Sequence, residues 1–187
     1  MRKKRIVQVS ILAALICALG LILWFASTDY RMERRIESAQ LQIKQEFQHN
    51  KDIYAETASN ILICAEQGDA QITYILQQGT LHTDYLGDEQ KDVEAEAKRI
   101  LRKFGEKTGF DWNSVDAYPE THYTYPEKSC VFRYTIWNGK DVYCWVDLIY
   151  SPNWEEYIVK DHMVSRLQEG LAAKVDNNWY IVVLYGY

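Results

Sequence analysis

The chain begins with an apolar segment that is long enough to cross a lipid bilayer. Residues 6–26 are almost wholly apolar, and they directly follow four basic residues at positions 2–5. At about 1.5 Å of rise per residue, a helix of this length spans roughly 31 Å, which is close to the hydrocarbon thickness of a bilayer. The sequence therefore predicts a single transmembrane helix over residues 6–26, preceded by a basic tail over residues 1–5.

A cleavable secretory signal is the main alternative for this segment. Such a signal has an apolar core of about 7 to 15 residues and a small-x-small cleavage site. Here the core at 11–26 is longer, and Trp24 or Phe25 stands where a small residue is needed. A lipoprotein signal is also disfavoured, because Ile16 precedes Cys17 in place of a small residue. We therefore expect the segment to be retained as a signal-anchor.

The flanking charges predict how this anchor is oriented. Four basic residues precede it, whereas the charges that follow it closely are mixed: Asp29, Arg31, Glu33, Arg34 and Arg35. The more basic flank of a membrane helix usually stays on the cytoplasmic side. We therefore expect a single-pass membrane protein with a cytoplasmic N-terminus and a C-terminal domain outside.

Charge is distributed unevenly along the chain, whose net charge is -5. Residues 1–29 carry +3, so the remaining residues carry -8. A negatively charged domain disfavours nucleic acid, anionic lipid and polyanionic wall polymers as main partners. With 13% aromatic residues, including 14 Tyr and 6 Trp, the projecting part of about 160 residues has enough apolar material for one packed domain.

Helical periodicity continues beyond the predicted anchor. Apolar residues recur every three or four positions, which predicts a juxtamembrane amphipathic helix within residues 27–50 and another helix over 52–66. The sequence leaves open whether Asn50 and Lys51 interrupt this rod. A further helix is predicted over 88–108, where acidic first turns and basic last turns complement the helix dipole. We interpret its charges as a solvated helix face.

Alternation of apolar and polar residues predicts the strands. Hairpins are expected within 71–86, 130–150 and 172–185, because each holds two alternating runs around a turn with Gly or Asn. The stretch 110–128 holds two of the three prolines and alternates poorly. We expect it to be a loop with one edge strand.

The segment between the last two hairpins has two interpretations. Asn153 and Glu156 form a capping-box pattern, which predicts a helix that ends near Gly170. A strand over 157–159 remains open. Helices followed by antiparallel hairpins, without regular strand and helix alternation, predict an α+β fold. In it, helices pack on an antiparallel β-sheet within an extracytoplasmic domain over residues 51–187.

The register of the 130–150 hairpin decides which of its side chains share a face. A three-residue turn at 137–139 would place Phe132 opposite Cys144 and leave one face wholly apolar. A two-residue turn would instead place Phe132 beside Trp145 and give a poorer core. We expect the first register.

The second face of that hairpin is the leading candidate for a binding site. It carries aromatic rings beside a pair of opposite charges, which could receive a sugar or a peptide. The alternative is that a helix such as 88–108 covers this face and the aromatics are core. Tyrosines of the 110–128 loop form a second candidate surface, unless that loop packs onto the sheet. The candidate binding residues are Arg133, Trp137, Tyr143, Trp145 and Asp147 on the hairpin and Tyr118, Tyr123 and Tyr125 on the loop.

The sequence offers no local signature of catalysis, metal binding or a cofactor. Its four histidines are far apart, and no HxxxH, HExxH or CxxC spacing, Gly-rich phosphate loop or GxSxG motif occurs. Cys64, Cys130 and Cys144 follow the anchor. We expect buried free thiols there, with a bridge from Cys64 to either of the others left open. No metal and no cofactor are predicted.

These observations predict a membrane-tethered binding or interaction module that is not catalytic. Its expected partners are the membrane, through residues 6–26, and an envelope protein or a glycan, but not nucleic acid. A pilin-like structural subunit shares the plan of an apolar helix, an amphipathic helix and a sheet, but this chain lacks the Gly-Phe type of cleavage site. An envelope enzyme is the other alternative, and it would need a cleft in which Asp147 or His122 has a strongly perturbed pKa.

Overall fold

The computed structural model describes residues 2–76, 79–83, 91–120, 125–138, 143–154 and 172–186. The chain divides into two compact units, one of residues 1–38 and one of residues 39–187. For the span predicted over residues 6–26, the structure gives no support. Among the residues that it describes, no helix is both long enough and apolar enough to cross a membrane.

One helix, α1, extends over Arg2–Gly68 and bends at a single residue. Asn50 has non-helical backbone angles, with φ of -122° and ψ of 24°, and its side-chain amide donates to Glu46 Oε1 at 2.8 Å. Lys51, the next residue, forms an ion pair with Asp176. Local polar contacts of this kind accompany helix kinks. The two helices predicted on either side of Asn50 are therefore parts of one kinked helix.

The described residues beyond α1 form a second helix and seven strands. The helix, α2, covers Lys91–Thr108. The strands are β1 (Ile72–Ile75), β2 (Thr80–Thr83), β3 (Ser114–Tyr118), β4 (Ser129–Asn138), β5 (Tyr143–Tyr150), β6 (Ala172–Asp176) and β7 (Trp179–Gly186). They make one sheet in the order β2-β1-β3-β4-β5-β7-β6, and every neighbouring pair is antiparallel. The predicted α+β fold, with helices and an antiparallel sheet, is confirmed.

A hairpin lies at each end of this order, as predicted. The turn between β1 and β2 holds Gly79 with φ of 60°, a left-handed conformation that glycine adopts without strain. Asn178 adopts the same conformation between β6 and β7, and asparagine is the residue that tolerates it next best. These local turn residues are why both hairpins could be predicted.

The strand expected at an edge within 110–128 is an interior strand instead. β3 lies between β1 and β4, and all five of its residues are buried. Its sequence lacks alternation because both faces of the sheet are covered at this point. Pro119 follows directly after the strand, where a missing N–H interrupts no ladder. The helix or strand predicted within 153–170 lies outside the described residues from 155 onward.

β4 and β5 pair in a register that differs from both predicted ones. Phe132 lies opposite Leu148 and not Cys144, a shift of four residues. The connection is longer than expected, because β4 ends at Asn138 and β5 begins at Tyr143, and a bulge interrupts the ladder near it. Since a shift of four is even, the residues of β4 up to Thr135 keep their predicted face, whereas beyond the bulge Trp137 lies opposite Cys144.

The cysteines of this hairpin are well separated. Cys130 lies opposite Tyr150 and Cys144 opposite Trp137, so the two thiols are not the diagonal neighbours that the predicted register implied. Both are buried and free, as is Cys64. Burial raises the pKa of Cys130, and it raises the pKa of Cys144 to about 11. Both thiols therefore stay protonated and poorly nucleophilic near neutral pH.

Helices α1 and α2 pack on the face of the sheet that carries Phe132. Tyr54 of α1 is fully buried there, with its ring centroid 5.1 Å from that of Phe132 and 5.2 Å from that of Phe104 in α2. Its hydroxyl accepts a hydrogen bond from Trp112 Nε1 at 2.9 Å. Helix α2 therefore does not cover the candidate face, since Arg133 lies on the opposite face from Phe132. That second face carries a buried cluster of its own, and the half-buried Trp145 packs against it.

Candidate functional site

The second face of the sheet carries a polar cluster at its centre. Arg133 in β4 and Asp147 in β5 are directly opposite each other. Asp116 in β3 lies opposite Val131, which is two residues from Arg133 and therefore on the same face. Strand alternation thus brings three charged side chains from three adjacent strands to one place.

Arg133 is held by two side chains. Its Nε donates to Asp147 Oδ1 at 3.1 Å and its Nη2 donates to Asp147 Oδ2 at 3.2 Å, so the pair is bidentate. The same Nη2 donates to the Tyr125 hydroxyl at 2.8 Å. That hydroxyl in turn donates to Asp147 Oδ2. The closed set of three side chains fixes the plane of the guanidinium.

One guanidinium faces two buried carboxylates in this cluster. Asp147 is 0% exposed and Asp116 is 3% exposed, and Asp116 Oδ2 lies 4.0 Å from Arg133 Nη1. Hydroxyl groups complete the environment of Asp116, because Thr73 donates to its Oδ1 at 2.7 Å and Ser114 donates to its Oδ2 at 3.1 Å. Such donors are what a buried charge requires when its ion pair is shared.

Burial governs how these groups titrate. It raises the pKa of Asp147, against the opposing effects of Arg133 and of the hydrogen bond from Tyr125. It also raises the pKa of Tyr125 well above its ordinary value. For Arg133, burial lowers the pKa, but Asp147, Tyr125 and Asp116 together raise it by more, so the guanidinium stays charged. The Asp147 carboxyl therefore binds a proton more tightly in the folded chain than in the unfolded chain.

Replacement of Asp147 by Asn tests this direction. An acid whose pKa is raised by folding contributes its full stability below its ordinary pKa, about 3.9 for Asp. That contribution is lost as the pH rises through the raised value. We expect the difference in unfolding free energy, wild type minus Asp147→Asn, to fall as the pH rises above about 4. Urea unfolding of both proteins measures it, and a difference that grows with pH would mean that pairing with Arg133 outweighs burial.

Aromatic rings border the cluster. The half-buried Trp145 lies against the guanidinium of Arg133, with 4.7 Å between Cζ and the ring centroid. Tyr118 stacks on Tyr125 with 5.1 Å between ring centroids. These two tyrosines are only 6% and 2% exposed. They therefore pack onto the sheet and do not form the exposed loop surface that was the second candidate.

Five of the eight predicted binding residues lie together in the structure. They are Arg133, Trp145 and Asp147 from the hairpin and Tyr118 and Tyr125 from the loop. The backbones of Trp137 and Tyr143 pair with the facing strand near the turn of the hairpin, and their side chains are outside the described part of the chain, as is the whole of Tyr123.

Three residues of the cluster were missed from the sequence, namely Thr73, Ser114 and Asp116. Asp116 is the informative case, since an acidic residue in the middle of a buried strand must find partners. That signal was present in the sequence, but the strand was not recognised as an interior one. The position of β3 beside β4 comes from long-range pairing, which local patterns do not contain.

Cavities and groups of metal-ligating side chains near the cluster would be expected of a catalytic site. Three cavities lie along α2, on the other side of the sheet, and Asp147 lines none of the three. Within the described ranges, no three His, Cys, Asp or Glu side chains are grouped so that they could hold a metal ion.

Comparisons with protein-family models, with curated proteins and with solved structures find no significant match to this chain.

Proposed function

We propose that this protein is a single-pass, membrane-anchored binding module whose extracytoplasmic domain engages an envelope protein or a glycan without catalysing a reaction. The observation that carries this proposal is the fixed guanidinium of Arg133, which stacks on Trp145 and keeps 23% of its side chain exposed. Arg and Trp are among the residues that contribute most binding energy at interfaces. A guanidinium already held by Asp147 also loses little conformational entropy on binding.

The environment of Asp147 favours binding over catalysis. A general acid or base must come within about 2.6 to 3.2 Å of the group whose proton it moves. Asp147 is fully buried, and both of its oxygens already accept hydrogen bonds from Arg133. We therefore assign this carboxylate to positioning the guanidinium, and the enzyme alternative is less well supported than the binding module.

The anchor in this proposal rests on the apolar residues 6–26 and the basic residues before them. The positive flank favours a cytoplasmic N-terminus, which would place the domain outside. Extraction of native membranes at alkaline pH tests the anchor. We expect the full-length chain to stay in the membrane pellet, and its release into the supernatant would argue against a membrane span.

Crosslinking in native membranes tests the binding proposal. We expect the tagged full-length chain to capture a defined envelope complex or glycan. A Trp137→Ala/Trp145→Ala double variant should lose that capture, because it removes the Trp145 ring that lies against Arg133. Tyr30→Ala removes a 54% exposed ring from α1 and is the matched control that should retain it.

Thermal unfolding of the same three proteins keeps this test interpretable. The double variant informs on binding only if it melts cooperatively, as the wild type does. A folded double variant that captures the same complex as the wild type would overturn the proposal. Capture of nothing specific by the wild type would overturn it as well.

A further inference from the structure

We infer that the cleft between α1 and α2 binds a phosphate-type oxyanion, at a site that is separate from the Arg133 cluster and independent of the proposed function. Both helices contribute a polar wall, and apolar side chains form the floor between them. The polar lining consists of Glu56, Thr57 and Asn60 of α1 and Arg99, Lys103 and Lys107 of α2. We call this the α1–α2 cleft.

The cationic wall is the first argument for an anionic ligand. Arg99, Lys103 and Lys107 recur every four residues, so they lie along one face of α2. Two cations on the neighbouring face of the helix are neutralised locally, since Lys98 pairs with Glu94 at 2.6 Å and Arg102 pairs with Glu106 at 3.1 Å. Positive charge is therefore concentrated on the side of α2 that faces the cleft.

The two lysines of the cleft stand out from the other cations of α2. Arg99 pairs with Glu96 at 2.6 Å. Within the described part of the chain, neither Lys103 nor Lys107 has a carboxylate oxygen within 4.0 Å. Two cations that line this cleft thus lack a carboxylate partner, in a chain whose net charge is -5.

The opposite wall supplies uncharged donors. Thr57 is only 5% exposed, and it lines the cleft. A threonine hydroxyl can donate a hydrogen bond to an oxyanion in the cleft. The amide of Asn60 lies beside it as a second neutral donor. Glu56 is the acidic residue of this lining, and it limits the affinity for an anion.

The size of the cleft fits one small anion. Its volume is about 40 Å³, and a single water needs about 10 to 15 Å³ on the same measure. The cleft therefore holds roughly three waters, which is about the space of one tetrahedral group. A phosphate offers several acceptor oxygens to the ammonium, guanidinium, hydroxyl and amide groups of the lining, and charge-assisted bonds are the strong ones.

Calorimetric titration of the full-length chain in neutral detergent micelles with inorganic phosphate, at constant ionic strength, tests the site. We expect saturable binding that a Lys103→Gln/Lys107→Gln double variant weakens by about tenfold or more. A Lys98→Gln/Arg102→Gln double variant removes the same charge from α2 outside the α1–α2 cleft. It should bind phosphate within about twofold of the wild type.

Two further titrations test the role of Glu56 and the source of the phosphate. Glu56→Gln should strengthen phosphate binding, because it removes the acidic residue of the lining.

Micelles doped with phosphatidylglycerol or with phosphatidylcholine identify the source of the phosphate. Competition by phosphatidylglycerol alone would indicate a lipid headgroup, and no competition would indicate a soluble phosphate. Absence of saturable phosphate binding by the wild type, or equal weakening in both double variants, would overturn the inference.

Discussion

Replacement of Arg133 by Met is expected to lower the free energy of unfolding by about 3 to 5 kcal/mol. Met keeps much of the apolar stem but leaves Asp147, which is fully buried, without its charge partner. Tyr125 loses a donor at the same time. Removal of one member of a buried ion pair is costly mainly because the other member remains desolvated and uncompensated.

A double-mutant cycle measured by urea unfolding separates that cost from the value of the pair itself. The Arg133→Met/Asp147→Leu double variant removes both charges and should recover most of the lost stability. Asp116 keeps its two hydroxyl donors in that variant. Arg102→Met is the matched control, since Arg102 is exposed, and it should change the free energy by less than about 0.5 kcal/mol. A loss of less than about 1 kcal/mol for Arg133→Met would be inconsistent with a buried, paired Asp147.

Replacement of Tyr54 by Ala is expected to cost about 3 to 5 kcal/mol. Tyr54 is fully buried where α1 and α2 meet the sheet, and its ring lies against those of Phe104 and Phe132. Truncation removes these contacts and leaves a cavity that the surrounding aromatic rings cannot fill without changing rotamers.

Tyr54→Phe separates the hydrogen bond from the packing. Phe keeps the ring but leaves the indole N–H of Trp112 without its acceptor, which should cost about 1 to 3 kcal/mol. Tyr30→Ala, at a 54% exposed position, should stay within about 0.5 kcal/mol of the wild type. Urea unfolding measures all three variants. Equal losses for the Phe and Ala replacements of Tyr54 would show that the ring contributes little to packing.

Local signals explain the parts of the fold that could be predicted from the sequence. The apolar stripe of α2 contains Ala97, Leu101 and Phe104, and all three are buried. The terminal hairpin turns at Asn178, which adopts a left-handed conformation. Signals of this kind depend on residues a few positions apart, so a single sequence contains them in full.

Long-range pairing explains what could not be predicted. β3 is an interior strand because it pairs with both β1 and β4, and nothing within Ser114–Tyr118 itself specifies those neighbours. The predicted hairpin register is wrong for a related reason, since the connection between Asn138 and Tyr143 is longer than the turn that the sequence predicts. The face assignment survived because the shift is even, which is why Arg133, Trp145 and Asp147 were grouped on one face. The place of Asp116 in the cluster could not be predicted in the same way, because it depends on the pairing of β3 with β4.

Site-specific photocrosslinking in native membranes asks whether the candidate face is the surface that binds a partner. Thr135 lies opposite Trp145 and is half-buried, so a photoreactive residue introduced there reports on what contacts the face that carries Arg133. Ile63, which is 46% exposed on α1, provides the matched control on another surface. We expect one defined adduct from position 135 that position 63 does not form. The same adducts from both positions, or no adduct from position 135, would contradict a binding surface on this face of the sheet.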